Sequence, residues 1–193
     1  MTMNVESQKK QHYSSLETSG IAYWTIRLIH DNPLLPLVRN PYKLLRAAGL
    51  DQTQRIVEVG CGPGFFTVPA ADMVGNQGHV YAIDINRRAI ERVRRKIQKQ
   101  RLENVTPLCI NASKTGLSAG SCDLAFVFGL RHIAGGLEKV LLELYRILRP
   151  GGTLSLEKTK GSETALRGAA KNAGFDFSEK HGRIFRFKKR ELS

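Results

Sequence analysis

The sequence predicts an α/β domain with a doubly wound sheet of seven strands, in which the last strand runs antiparallel to its neighbour. From residue 40 onward, short apolar runs alternate with segments of helical periodicity, which is typical of a parallel sheet covered by helices on both faces. At the end of the chain, the strand-like runs GFDFSE and GRIFRFKK are separated by only a few residues. A connection that short cannot hold a crossover helix, so the final strand should be reversed.

The elements can be assigned in order along this pattern. The first strand, RIVEVG, runs directly into a glycine-rich turn, which a helix follows. A strongly basic helix follows the second strand, and the turn RPGG leads into the fifth strand. The predicted strands before the two C-terminal runs are 55–60, 79–84, 105–110, 122–128 and 153–157, and the other predicted helices are 41–48, 137–148 and 164–173.

Length and composition fit one folded domain with an N-terminal extension. The chain has 193 residues, 41% of them hydrophobic, which is enough for a sizeable core without metals or cross-links. Residues 1–39 show discontinuous helical patterning and no chemical motif. We therefore expect a helical arm or lid over residues 1–39, laid against a domain formed by residues 40–193.

Cysteine usage and the apolar segments predict a cytoplasmic protein. The three cysteines Cys61, Cys109 and Cys122 lie outside any CxxC spacing, so neither a disulfide framework nor a metal site is predicted. The polar start of the chain lacks the apolar centre of a signal peptide. Charged residues and prolines interrupt the apolar stretch 21–38, which excludes a spanning helix and leaves peripheral contact with lipid as an alternative.

The formal net charge of +13 favours anionic partners such as nucleic acid, anionic lipid or a phosphorylated substrate. Residues 86–101 alone contain eight basic residues and one acid. In this segment an apolar stripe at helical spacing lies opposite a row of basic residues. We favour a solvated helix face, and a binding surface is the alternative. The stripe comprises Ile90, Val93 and Ile97, and the basic row comprises Arg88, Arg92, Arg95 and Lys99.

A glycine-rich turn follows the first strand, at the place where a doubly wound sheet presents its ligand crevice. Its sequence, GCGPG over residues 60–64, has the spacing GxGxG. Glycines permit a tight turn and a close approach of the backbone to a ligand. Phe65 stands where the dinucleotide fingerprint GxGxxG has its third glycine, which counts against NAD or FAD. A ligand without a pyrophosphate is therefore predicted.

Polar positions on the first three strands complete a candidate ligand site. Asp84 ends the second strand, where a carboxylate can accept hydrogen bonds from both hydroxyls of a ribose, and a solvated carboxylate is the alternative. Glu58 lies inside an apolar strand and needs a partner when buried, such as the ammonium group of an amino-acid moiety. Asn111 and Ala112 follow the third strand, where an amide can hydrogen-bond an adenine edge.

Four segments, VEVGCGPGFFT, VYAID, CDLAFVF and LRPGGTLSLEK, occur in this order over about residues 40–158. They resemble the successive motifs of class I S-adenosylmethionine-dependent methyltransferases, a family with a Rossmann-like fold. The resemblance implies that the chain is a methyltransferase with S-adenosylmethionine as its cofactor. The cofactor-binding residues that it implies are Glu58, Gly60, Cys61, Gly62, Gly64, Thr67, Asp84, Ile85, Asn111 and Ala112.

The segment from FGLRHIAGG to LSLEK is similar in particular to the ubiquinone/menaquinone biosynthesis C-methyltransferase family. This similarity implies a small apolar or aromatic acceptor of the quinol type. The chain departs from that family at His132, where the family usually has Asn, and at Val127, where it has a small hydroxyl residue. Arg131 is a candidate for stabilising a phenolate, and His132 for accepting a proton. For His132, a structural hydrogen bond is the alternative.

The arm carries Tyr23, Trp24 and Ile26, which suit either a lid over an apolar acceptor or an ordinary helix packed on the sheet. Two other functions stay open at this point. One is an RNA methyltransferase that uses the basic helix, although the sequence shows neither an Asn-Pro-Pro-Tyr-type motif nor a recognisable RNA-binding domain. The other is a non-catalytic protein that binds S-adenosylmethionine.

Overall fold

The computed structural model describes residues 39–129, 134, 136–159 and 161–190. These residues form seven strands and five helices. The strands are β1 (Arg55–Val59), β2 (His79–Asp84), β3 (Val105–Cys109), β4 (Cys122–Val127), β5 (Leu148–Glu157), β6 (Phe175–His181) and β7 (Ile184–Lys189). The helices are α1 (Pro41–Ala48), α2 (Thr67–Val74), α3 (Arg87–Gln100), α4 (Leu137–Ile147) and α5 (Glu163–Asn172).

The strands form one sheet in the order β3-β2-β1-β4-β5-β7-β6. Strands β1 to β5 pair in parallel, and β7 runs antiparallel to both β5 and β6. Only Gly182 and Arg183 connect β6 to β7, and the φ angle of +60° at Gly182 suits this tight reversal. The predicted sheet of seven strands with a reversed last strand is confirmed.

The fifth strand is longer than the sequence predicts. A turn is expected at RPGG, but β5 already begins at Leu148, which pairs with Cys122. The pairing with β4 then shifts register before Leu124 and continues at Thr153. The turn that RPGG predicts is therefore an irregularity inside β5, because the residues before and after it both pair with β4.

Two apolar layers cover the sheet, one on each face. Alternate residues of a strand point to opposite faces, so Ile56 packs with α1, α2 and α3 while Val57 packs with α4 and α5. Both side chains are fully buried. Strands buried on both faces read as continuous apolar runs, which explains the pattern in the sequence.

Local signals define the helix that follows β2. The Asn86 side chain accepts hydrogen bonds from the backbone N–H groups of Arg88 and Ala89 and thereby caps the first turn of α3. The helix ends at Gln100, and the capping residue Arg101 adopts a left-handed conformation with a φ angle of +54°. The cap therefore starts α3 directly beyond the carboxyl end of β2, beside the ligand crevice.

The predicted arm of residues 1–39 lies outside the described residues except for Arg39, so the division into arm and domain stays a prediction. Within the described part of the chain, no helix is long and apolar enough to cross a bilayer. In the same residues, no group of three or more His, Cys, Asp or Glu side chains is placed to hold a metal ion.

Candidate cofactor crevice and acceptor edge

The order of the strands reverses between β1 and β4, which opens a crevice at the carboxyl ends of the parallel strands. We call the carboxyl ends of β1, β2 and β3, with the glycine loop 60–64, the cofactor crevice. The carboxyl ends of β4 and β5 are called the acceptor edge. The backbone N–H groups of Gly60 and Cys61 both donate to the Ile83 carbonyl oxygen, at 2.7 and 3.0 Å, so the loop starts across the end of β2.

The conformation of the loop requires its glycines. Gly60, Gly62 and Gly64 have φ angles of +72°, +52° and +83°, a region that residues with a side chain rarely adopt. A Cβ atom at Gly64 would lie 3.2 Å from Val93 Cγ2, so this glycine also allows the loop to pack against α3. At Gly62 no heavy atom lies within 4 Å of such a Cβ, so the loop faces open space where a ligand can approach.

Asp84 holds the glycine loop from the end of β2. Its Oδ2 accepts a hydrogen bond from the Gly62 backbone N–H at 2.8 Å, and its Oδ1 accepts one from the Asn86 N–H at 2.8 Å. A carboxylate has about four acceptor positions, so both oxygens can accept further hydrogen bonds from the hydroxyls of a ribose. The structure thus brings Asp84 next to the glycine loop, and the sequence predicted both as parts of one ligand site.

Glu58 is buried in β1 with only 2% of its surface exposed. The Thr67 hydroxyl donates a hydrogen bond to its Oε2 at 2.6 Å. The pKa of Glu58 is raised to about 8: burial is the main cause and the Asp84 carboxylate adds to it, whereas the hydrogen bond from Thr67 and the Lys96 ammonium act in the opposite direction. A cationic ligand group next to Glu58 would stabilise its ionised form, so this site fits the ammonium end of S-adenosylmethionine.

The remaining predicted cofactor residues lie around the same crevice. Cys61 is buried, and burial raises the pKa of its thiol well above the usual range, so it serves as packing in the loop. Ile85 directly follows Asp84 and is 39% exposed, which leaves an apolar side chain free to contact a flat ring. The Asn111 Oδ1 accepts a hydrogen bond from the Ser113 N–H, and Ala112 is buried.

The acceptor edge contains an aromatic cluster that the sequence analysis did not single out. Phe66 contacts Phe128 and Phe126 edge to face, with ring centroids 5.4 and 6.3 Å apart, and Phe65 at 4.8 Å. All four rings are buried. They form an aromatic floor between the start of α2 and the end of β4, next to the cofactor crevice. The sequence signal for this cluster was the pair of aromatic residues in each of the segments GFF (64–66) and FVF (126–128).

Two charged residues at the acceptor edge were also missed. The Arg39 guanidinium lies 5.2 Å from the centre of the Phe66 ring and forms an ion pair with Glu157, the last residue of β5. A carboxylate that ends an apolar strand at this edge of the sheet was the signal for Glu157. The predicted catalytic residues Arg131 and His132 lie outside the described residues, as do Tyr23, Trp24 and Ile26.

A doubly wound sheet with a reversed last strand, a GxGxG loop and acidic residues on β1 and at the end of β2 defines a class I S-adenosylmethionine-dependent methyltransferase. A methyltransferase domain family model matches residues 56–152, which is half of the chain. The chain therefore belongs to this methyltransferase domain family.

Curated relatives agree with this assignment. The chain is 31% identical over 114 residues to a demethylmenaquinone methyltransferase of Listeria welshimeri, covering 58% of this chain and 47% of the relative. It is 29% identical over 119 residues to a demethylmenaquinone methyltransferase of Geobacillus stearothermophilus, covering 61% and 50%. The match thus spans about half the length of these relatives.

Solved structures show the same fold. A S-adenosylmethionine-dependent methyltransferase from Aquifex aeolicus superposes with a TM-score of 0.72 at 27% identity, covering 82% of this chain and 94% of that one. Geranyl diphosphate C-methyltransferase from Streptomyces coelicolor, solved with S-adenosyl-L-homocysteine, has a TM-score of 0.61 at 15% identity, covering 74% and 62%. The second likeness concerns the fold alone.

Proposed function

We propose that this protein transfers the methyl group of S-adenosylmethionine to a small aromatic acceptor of the quinol type. The observation that carries the proposal is the aromatic floor of Phe66, Phe126 and Phe128, directly beside the cofactor crevice. These rings are packed in the core and make the acceptor edge apolar, which suits an aromatic acceptor, whereas a strongly polar one would lose hydration there. The demethylmenaquinone methyltransferases among the relatives support an acceptor of this class.

The chemistry requires little of the chain beyond positioning. When bound, S-adenosylmethionine supplies an activated methyl group on a sulfonium. We infer that Glu58 and Asp84 hold the two polar ends of this cofactor, while the glycines of the loop allow its backbone to lie close to the cofactor. Holding acceptor and cofactor in line then provides much of the rate acceleration.

Activation of the acceptor is assigned to the segment after β4. Arg131 carries a permanent positive charge that stabilises a phenolate oxygen, either directly or by positioning a water molecule. His132 accepts the proton near neutral pH. Both assignments rest on the resemblance of FGLRH to the quinone methyltransferases. We infer a cytoplasmic location from the three cysteines, which are all free.

The test uses chemically reduced demethylmenaquinone and S-adenosylmethionine, with the methylated product detected by mass spectrometry. We expect Arg131→Ala to lower turnover about 100-fold or more while S-adenosylhomocysteine affinity stays within about twofold. Arg149→Ala is the matched control, because Arg149 pairs with Asp123 at the opposite edge of the sheet. Cofactor binding without product from any quinol would favour the non-catalytic alternative.

A further inference from the structure

We propose that Glu157 is a positioning residue for methyl transfer, because one of its carboxylate oxygens binds both the Arg39 guanidinium and the backbone N–H of Gly129, which follows β4 at the acceptor edge. The proposal rests on the proposed function and adds to it a residue that sets the geometry of the acceptor edge.

The contacts of Glu157 are concentrated on a single atom. Its Oε2 accepts a hydrogen bond from Arg39 Nη2 at 2.5 Å and another from the Gly129 backbone N–H at 2.8 Å. The side chain of Glu157 is only 10% exposed, and that of Arg39 is 27% exposed. Hydrogen bonds to an ionised, partly buried acceptor are stronger than neutral ones, so both donors are held firmly.

Glu157 lies on the acceptor side of the site. It ends β5, where it pairs with Ile184 of β7, and Gly129 lies two residues beyond the end of β4. The glycine loop and Asp84 lie at the ends of β1 and β2 instead. Loss of Glu157 should therefore disturb the acceptor more than the cofactor.

Arg39 and Gly129, the two partners of Glu157, are each oriented by a further interaction or backbone constraint. The Arg39 guanidinium stacks over Phe66, a member of the aromatic floor. Gly129 leaves β4 with a φ angle of +67°, and a Cβ at this position would lie 3.6 Å from Arg39 Nη1. The direction in which the chain leaves β4 is thus defined by a left-handed residue whose N–H is bound to Glu157.

Stability alone does not explain a carboxylate at this position. The preceding residues of β5 on either face, Leu154, Ser155 and Leu156, are buried and uncharged. A partly buried ion pair often stabilises a fold no better than apolar residues of similar size, because both charges lose hydration. A role in orientation explains the charge, since a displacement of about 1 Å in a reacting group can cost 100-fold in rate.

The experiment compares Glu157→Ala and Glu157→Gln in the full chain, with reduced demethylmenaquinone as the acceptor probe. We expect Glu157→Ala to lower kcat/KM for the acceptor at least about 30-fold, with S-adenosylhomocysteine affinity within about twofold. Glu157→Gln keeps an oxygen for the Gly129 N–H and should recover most of the loss. Asp176→Ala is the control, since its carboxylate pairs with Arg190 on the exposed surface.

A second measurement separates this proposal from the proposed function. Hydrogen exchange of the Gly129 amide should be at least about tenfold faster in Glu157→Ala than in the unchanged protein, and close to unchanged in Asp176→Ala. If the unchanged protein methylates no quinol, the proposed function fails and the exchange rates alone decide on Glu157. Unchanged exchange, or a loss of cofactor affinity equal to the loss of kcat/KM, would overturn the positioning role.

Discussion

At the scale of single residues, Glu58 and Asp84 are carboxylates on adjacent strands in very different environments. Glu58 is buried and receives a hydrogen bond from the Thr67 hydroxyl, whereas Asp84 is half-buried and receives two from backbone N–H groups. Burial disfavours the ionised form, so the two groups are expected to respond differently to pH and to substitution.

Glu58 should make stability depend on pH. Its pKa is about 8 in the folded protein, against an ordinary value of 4.5. Between these values the folded state retains a proton that the unfolded chain has lost, so the free energy of unfolding should fall as the pH rises from about 4.5 to 8. The slope is at most about 1.4 kcal/mol per pH unit, and the contribution of Glu58 is fully present only below pH 4.5.

Comparison with Glu58→Gln isolates this effect. The glutamine side chain cannot ionise. The free energy of unfolding of the unchanged protein minus that of the variant, measured with urea from pH 4.5 to 9, should therefore fall with pH and level off above pH 8. Gln keeps an oxygen that can accept the hydrogen bond from Thr67, so the comparison changes mainly the charge. A flat difference would show that Glu58 ionises normally.

Replacing Asp84 by Ala should weaken binding of S-adenosylhomocysteine tenfold or more. The variant loses hydrogen bonds to an ionised acceptor, each worth about 1.5 to 3 kcal/mol, and also releases the Gly62 N–H. Calorimetry measures the affinity. Asp123→Ala is a matched control, because Asp123 also accepts from a backbone N–H, that of Arg55, but at the opposite edge of the sheet. Equal affinity in both variants would remove Asp84 from the site.

At the scale of elements, α3 combines a buried apolar side with a basic outer side. Ile90 and Val93 are buried against the sheet, and Arg88, Arg95 and Lys99 are exposed. The remaining members of the predicted stripe and basic row, Ile97 and Arg92, are half-buried. The apolar side explains why α3 packs, and the basic side needs no ligand to be stable in water.

Reversing the charges of Arg88, Arg95 and Lys99 to Glu should leave kcat/KM for the acceptor within about twofold. Binding to RNA or another polyanion should be weak and should fall steeply with salt, because released counterions dominate it. Titrations in 50 and 200 mM salt measure this dependence. Tight, sequence-selective RNA binding at physiological salt, together with loss of methylation on charge reversal, would instead favour the RNA alternative.

Deleting residues 1–38 should abolish turnover and leave S-adenosylhomocysteine affinity largely intact. The reason is that the arm is expected to close over an apolar acceptor, with about 25 cal/mol gained per Å² of apolar surface buried and with water excluded. Product detection by mass spectrometry and calorimetry on the same sample measure both quantities. Full turnover without the arm would mean that the acceptor binds elsewhere.

At the scale of the whole molecule, cofactor binding should stabilise the fold. A ligand at 100 times its Kd contributes about 2.7 kcal/mol when it binds only the folded state. For a chain of 193 residues this corresponds to a rise in Tm of about 5 to 10 °C with S-adenosylhomocysteine. NAD at the same concentration should produce no comparable shift, since the loop lacks the third glycine of the dinucleotide fingerprint. Thermal unfolding with each ligand tests this choice.

The sequence by itself determined the fold class and the ingredients of the cofactor crevice. Apolar runs of strand length predict the sheet, and the short connection before β7 predicts its reversed strand. Both patterns involve only a few neighbouring residues, so they can be read from the sequence. The positive φ angles of Gly60, Gly62 and Gly64 likewise follow from a local requirement that glycine satisfies best.

Only the tertiary structure decided which distant residues meet. Arg39 and Glu157 are 118 positions apart, and Gly62 and Asp84 are 22 positions apart. No local sequence pattern predicts either contact. The same holds for the pKa of Glu58, which depends on how much of the side chain the packed sheet removes from water. Contacts and burial of this kind arise when strands align at a common edge, so they belong to the folded chain as a whole.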